Sequence, residues 1–142
     1  MIRRFFLLLL MGLSQLASAE KEDPALIALQ PLGGVKAERI EVVKHGLEDA
    51  FGVKVIVLEN RPLPKSAWYA PRSRYRADDL LEHLREVVPA KHPVVIGITE
   101  KDISTTKDEH IDWGIFGLGE VDGRACVVST LEPSASRARP RA

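Results

Sequence analysis

One cysteine, Cys126, is present among 142 residues, and a single thiol excludes an internal disulfide framework. It sits in the apolar run Ala125-Cys126-Val127-Val128, where a buried structural thiol is expected. Massed positive charge is lacking as well. The formal total is zero, yet Arg3 and Arg4 lie at the start, and Arg137, Arg139 and Arg141 against Glu132 lie at the end, so residues 20–131 carry −4. An acidic body argues against nucleic acid as a partner, because phosphate binding needs clustered cations. After residue 13 no apolar run approaches the roughly 20 residues of a spanning helix. The rest of the chain is therefore expected to stay out of the membrane.

Catalytic signatures are missing too. The four histidines are His45, His83, His92 and His110, and none has another three or four positions away. No helix can present a metal-binding pair from them, and a site needs three or four converging ligands. His45 with Asp49, and His110 with Asp112, read as solvated pairs. There is no Gly-x-Ser-x-Gly nucleophile turn. Gly117-Leu118-Gly119-Glu120-Val121-Asp122 fails the dinucleotide pattern at its last glycine and precedes no helix.

What is present begins with a leader. Arg3 and Arg4 precede the apolar run Phe5 to Leu13, and Ala17-Ser18-Ala19 supplies small residues where signal peptidase reads them. Cleavage is expected between Ala19 and Glu20, giving an exported protein, periplasmic or extracellular. No cysteine lies near the cut to carry a lipid. The remaining length suits one small domain, able to bury about two thirds of its unfolded surface without disulfides.

Periodicity predicts a mixed α/β fold. Ala25 to Leu29 reads as a strand ending near Pro31. Ile40, Val43, Leu47 and Phe51 share one helix face, and Gly52 ends that helix. Val53 to Leu58 is apolar on both faces, which predicts an interior strand. Asn60 to Arg76, with Pro62, Pro64 and Pro71, is expected to be irregular. A second helix runs from about Asp78 to Val88, with Leu80, Leu81 and Leu84 on its stripe. A third strand spans Val94 to Thr99. A polar loop, Glu100 to Asp112, leads to a fourth strand, Trp113 to Val121. Asp122-Gly123 marks a hairpin into the fifth, Arg124 to Thr130. Parallel strands joined by helices plus this hairpin give a mixed five-stranded sheet, two crossover helices and an antiparallel edge strand. A free edge can accept another chain.

Trp68, Tyr69 and Tyr75 alternate with Arg72, Arg74 and Arg76, a pattern that can stack and attract single strands. On an acidic body the expected role is an ordered crossover packed over the sheet. From Glu132 the chain is nearly all Arg, Pro, Ser and Ala, and residues 132–142 are expected to form a disordered basic tail.

Leu63-Pro64, Ala67-Trp68-Tyr69, Pro71-Arg72-Ser73-Arg74-Tyr75, Leu80-Leu81 and Leu84 resemble the middle blocks of the archaemetzincins. Gly97-Ile98-Thr99, Asp102, Phe116-Gly117-Leu118 and Val127-Val128-Ser129-Thr130 are similar to their next blocks, in the same order. The resemblance covers about residues 25–131. It implies the N-terminal half of a metzincin-type zinc peptidase, whose antiparallel edge strand pairs with extended substrate. Ile115, Phe116, Gly117 and Leu118 would be that rim.

The family's zinc helix, His-Glu-x-x-His-x-x-Gly-x-x-His, is not among these residues, nor is the family's cysteine cluster. The resemblance therefore implies a truncated, inactive peptidase with no catalytic residue, no metal ligand and no cofactor in this chain. Zinc belongs only to a full-length relative. The similarity stops at Thr130-Leu131, so the tail is expected to be an out-of-frame or prematurely ended stretch. Expected partners are an extended peptide and, through the exposed edge, a second copy of the chain. The alternative reading is an exported, non-enzymatic peptide-binding domain.

Overall fold

The computed structural model describes residues 26–131. The leader, its cut site and the basic tail lie outside the described residues. Two sheets share the chain. The larger is built from β1 (Leu26–Leu32), β2 (Lys54–Val57), β5 (Val94–Thr99), β8 (Gly117–Gly119) and β9 (Ala125–Ser129) in the order β2-β1-β5-β9-β8. The smaller orders β3 (Trp68–Tyr69), β4 (Arg74–Arg76), β6 (Ile103–Lys107) and β7 (His110–Ile115) as β3-β4-β6-β7. Helix α1 (Ala37–Phe51) joins β1 to β2, and α2 (Ala77–Val87) leads into β5.

The larger sheet is parallel except for β8, which runs antiparallel to β9. The chain steps from β1 outward to β2, then back past β1 to β5. Two right-handed crossovers in opposite directions place their helices on opposite faces. The packing agrees. Ala28, Val95, Ala125 and Val127 turn toward Leu80, Leu81 and Leu84 of α2. Leu29, Val55 and Ile98 turn toward Ile40, Val43 and Leu47 of α1. Each fully buried leucine contributes about 1.5–3 kcal/mol over exposure, so the α2 layer anchors the fold.

Helix α2 forms where its leucine stripe and the Asp78 and Asp79 pair at its positive end favour it. Its C-terminal end is held by Arg124. That guanidinium donates to the carbonyls of Val88 (2.7 Å), His92 (3.0 Å), Arg85 (3.1 Å) and Pro89 (3.3 Å). Helix α1 is different. None of its residues is fully buried, and it contacts the sheet chiefly at β2.

The expected five-stranded sheet is present, with corrections. Val53 to Leu58 does not form an interior strand, because β2 is the edge beyond β1. Its two apolar faces are served by Val53 and Val55 against the α1 layer and Leu58 against the α2 layer. The first strand continues to Leu32 through Pro31, which cannot donate. The buried Gln30 side chain lies beside it and donates to Glu59 O (2.7 Å) and Pro31 O (2.9 Å). Asn60 to Arg76 and Glu100 to Asp112 are not merely loops: they supply β3, β4, β6 and the start of β7. Trp113 to Val121 is two strands in two sheets, divided at Phe116.

Candidate peptide-binding edge and adjoining cleft

Strand β8 closes the larger sheet on one side. Its register is Gly117 opposite Val128, Leu118 opposite Val127 and Gly119 opposite Cys126. Ser129 N donates to Phe116 O (2.7 Å) and Glu120 N donates to Ala125 O (3.1 Å). In an antiparallel ladder, alternate residues face the partner strand. Phe116, Leu118 and Glu120 therefore face β9, and the amide and carbonyl groups of Gly117 and Gly119 point away from it. Neither glycine has a side chain to shield that edge. Leu118 turns into the α2 core, while Phe116 is 69 % exposed.

The edge is fixed from behind. Asp122 takes φ 60° in the turn, a left-handed conformation that aspartate tolerates. Glu120 pairs with Arg85 of α2, tying the hairpin to the helix. On the α1 face, Ile96, Cys126 and Val128 are only half-buried. Burial pushes the Cys126 thiol up from its usual pKa, so it is a poor nucleophile at neutral pH. The rim residues foreseen from sequence are thus split. Gly117 and Leu118 lie in β8, Phe116 is the joint, and Ile115 belongs to β7 of the smaller sheet.

At the carboxyl ends of β5 and β9, a cleft of about 400 Å³ opens between the two sheets. Trp68, Ser73, Tyr75, Glu100, Lys101, Asp102 and Leu131 line it, and Tyr75 N donates to Asp102 O (2.9 Å). Trp68 meets Tyr75 edge-on at 5.1 Å between ring centres. Arg39 binds Glu100 (2.8 Å) and donates to Thr130 O (2.7 Å).

Behind the cleft lies an ionic network that sequence spacing did not reveal. Arg74 sits 3.2 Å from Asp102 and 3.6 Å from Asp112, and Arg76 lies 3.7 Å from Asp112. The Arg74 and Asp112 side chains are 12 % and 10 % exposed, so this is an interior charge layer. Asp112 is no solvated partner of His110, whose ring packs on Trp113 instead (5.1 Å). The usable signal was alternation: Arg74 and Arg76 share one face of β4, two residues apart. Arg76 also lies over the Tyr69 ring at 5.9 Å. Two of the three arginines in that aromatic stretch are thereby committed to carboxylates within the fold.

Zinc has no fit among the described residues, where no three His, Cys, Asp or Glu side chains converge. His45 is exposed on α1, 3.4 Å from Glu41 and 3.8 Å from Glu48. His83 lies on α2, His92 is buried beyond its end, and His110 opens β7. The four histidines lie on different segments of the fold, and none of them belongs to a metal-holding group among the described residues.

No protein-family model matches the chain. An archaemetzincin of Halobacterium salinarum is 28% identical over 104 residues, covering 73% of this chain and 57% of the relative. The chain thus spans little more than half the length of that curated relative. The crystal structure of an archaemetzincin from Archaeoglobus fulgidus, complexed with malonate, superposes with a TM-score of 0.61 at 28% identity. That match covers 78% of this chain and 65% of the other. An archaemetzincin structure from Methanopyrus kandleri shares the fold with a TM-score of 0.63, at 24% identity, over 84% of this chain and 67% of that one. In sequence and in fold the chain is archaemetzincin-like.

Proposed function

We propose that this archaemetzincin-like chain supplies the peptide-binding wall of a metallopeptidase-type domain and does not itself hydrolyse peptide bonds. The observation that carries the reading is the edge of β8. Its outward donors and acceptors belong to Gly117 and Gly119, so an extended peptide can add as a further strand. Main-chain pairing supplies affinity, and the exposed Phe116 ring offers a side-chain contact. A substrate backbone held this way is straightened and fixed beside the rim, which is the positioning half of peptide hydrolysis. The chemical half needs an activated water, and the described residues offer neither converging metal ligands nor a base beside them.

Support for a peptidase lineage comes from the similarity to archaemetzincins, and the edge geometry supports the peptide. Export through cleavage after Ala19 is part of the same proposal, motivated by the Ala17-Ser18-Ala19 site. N-terminal sequencing of the processed protein should begin at Glu20.

Amide NMR on the purified chain tests the binding reading. Adding an unstructured apolar peptide should shift the Gly117 and Gly119 amides, while the β2 edge stays unmoved. Unshifted glycines at millimolar peptide would refute it. Peptidase activity accompanied by one zinc per chain surviving a chelator wash would overturn the non-catalytic half.

A further inference from the structure

We propose that the cleft between the two sheets is a binding site for a small carboxylate carrying a single aromatic ring. The argument starts from its charges. Glu100 is held by Arg39 at 2.8 Å and Asp102 by Arg74 at 3.2 Å, so both acids in the lining are already neutralised. Lys101, between them in sequence, lines the same cleft, is exposed, and joins no ion pair among the described residues. Lys101 is therefore the one lining residue whose charge is not paired among the described residues.

That ammonium is mounted on a fixed backbone. Lys101 N donates to Thr99 Oγ1 (3.2 Å), and Lys101 O accepts from Ser129 Oγ (2.6 Å). A pinned main chain lowers the ordering cost of binding. Two aromatic side chains line the same cleft. Trp68 is 46 % exposed and is braced edge-on by Tyr75, so the indole is held in place while still open to a ligand. An aromatic guest gains from packing against such a ring, and a carboxylate gains a charge-assisted hydrogen bond from the lysine.

Size and place agree. A volume of about 400 Å³ is in the range of small-molecule sites. The cleft also opens at the carboxyl ends of parallel strands, where open α/β sheets carry their ligands. A cationic guest would meet Lys101 unfavourably, and a purely apolar one would leave the ammonium unused. This site is separate from the β8 edge and does not depend on peptide binding there.

The test uses the full chain carrying Trp113→Phe, which leaves Trp68 as the reporter in the described fold. Phenylacetate and its neutral isostere phenylacetamide are titrated against indole fluorescence. Phenylacetate should change the signal saturably and bind at least fivefold more tightly than the amide. Lys101→Met, an exposed substitution, should erase that preference, and Trp68→Leu should weaken both probes by amide NMR. Equal affinity for the two probes, a preference that survives Lys101→Met, or no saturable change would each overturn the proposal.

Discussion

Leu84 of α2 lies so close over Gly97 of β5 that a Cβ on Gly97 would stand 2.7 Å from Leu84 Cδ1. The glycine is needed for space, since no positive φ is recorded there. Gly97→Ala should destabilise the fold by about 1–3 kcal/mol through overpacking. Leu84→Ala alone should cost about 2–5 kcal/mol from the cavity it leaves. The double variant should be less unstable than the sum, because the added methyl enters the vacated space. Urea unfolding of the four proteins decides it, and strict additivity would refute the contact.

Arg124 offers a second test. Its guanidinium serves four carbonyls at the end of α2 from a position in the β8–β9 hairpin. Lysine has one nitrogen and cannot span them. Arg124→Lys should therefore lose nearly as much stability as Arg124→Ala, about 2 kcal/mol or more. Full rescue by lysine would mean that charge alone matters.

The pH dependence should carry a signature of His83. Desolvation lowers its pKa, with Arg61 acting in the same direction and Glu86 opposing. The unfolded chain then binds a proton more readily than the folded one. Stability contributed by neutral His83 is present above the ordinary value of 6.5 and declines as pH falls below it. Unfolding midpoints at pH 7.5 and pH 5 should differ less in His83→Gln than in the natural chain. An unchanged difference would show that His83 is not linked to folding.

Self-association should depend on Phe116. The ring is exposed beside a free strand edge, and such edges recruit further chains. Phe116→Lys should lower light scattering at high concentration while leaving the unfolding midpoint nearly unchanged. Identical monomeric behaviour of both proteins would count against an exposed, adhesive edge.

How much of this was legible beforehand differs by element. Val94 to Thr99 stands as expected, because alternation and Pro93 bound it on one side and a polar stretch on the other. The antiparallel edge was also readable, since Asp122-Gly123 dictates a hairpin. Two features escaped. Apolar residues on both faces of Val53 to Leu58 suggested flanking strands, but a helix and a loop can bury both faces of an edge equally well. The division at Phe116 is marked only by a change of phase, from apolar residues at the odd positions Trp113 and Ile115 to the even positions Phe116 and Leu118, which is easily read as one continuous run. The smaller sheet was hidden for a related reason. Its β3 and β4 are too short for periodicity, and Arg74, Arg76 and Asp112 look like surface until their pairing buries them.

Ser129 holds both roots of the β6–β7 excursion. The chain departs for the smaller sheet just after Lys101 and returns at Phe116, and Ser129 is bonded to both, through Oγ and N. The excursion thus starts and finishes at one anchoring residue. Lengthening or trimming the tip near Asp108 leaves the spacing of the roots untouched. Such a layout tolerates insertions and deletions, and it makes that tip a natural place to splice in a foreign segment without disturbing the sheet.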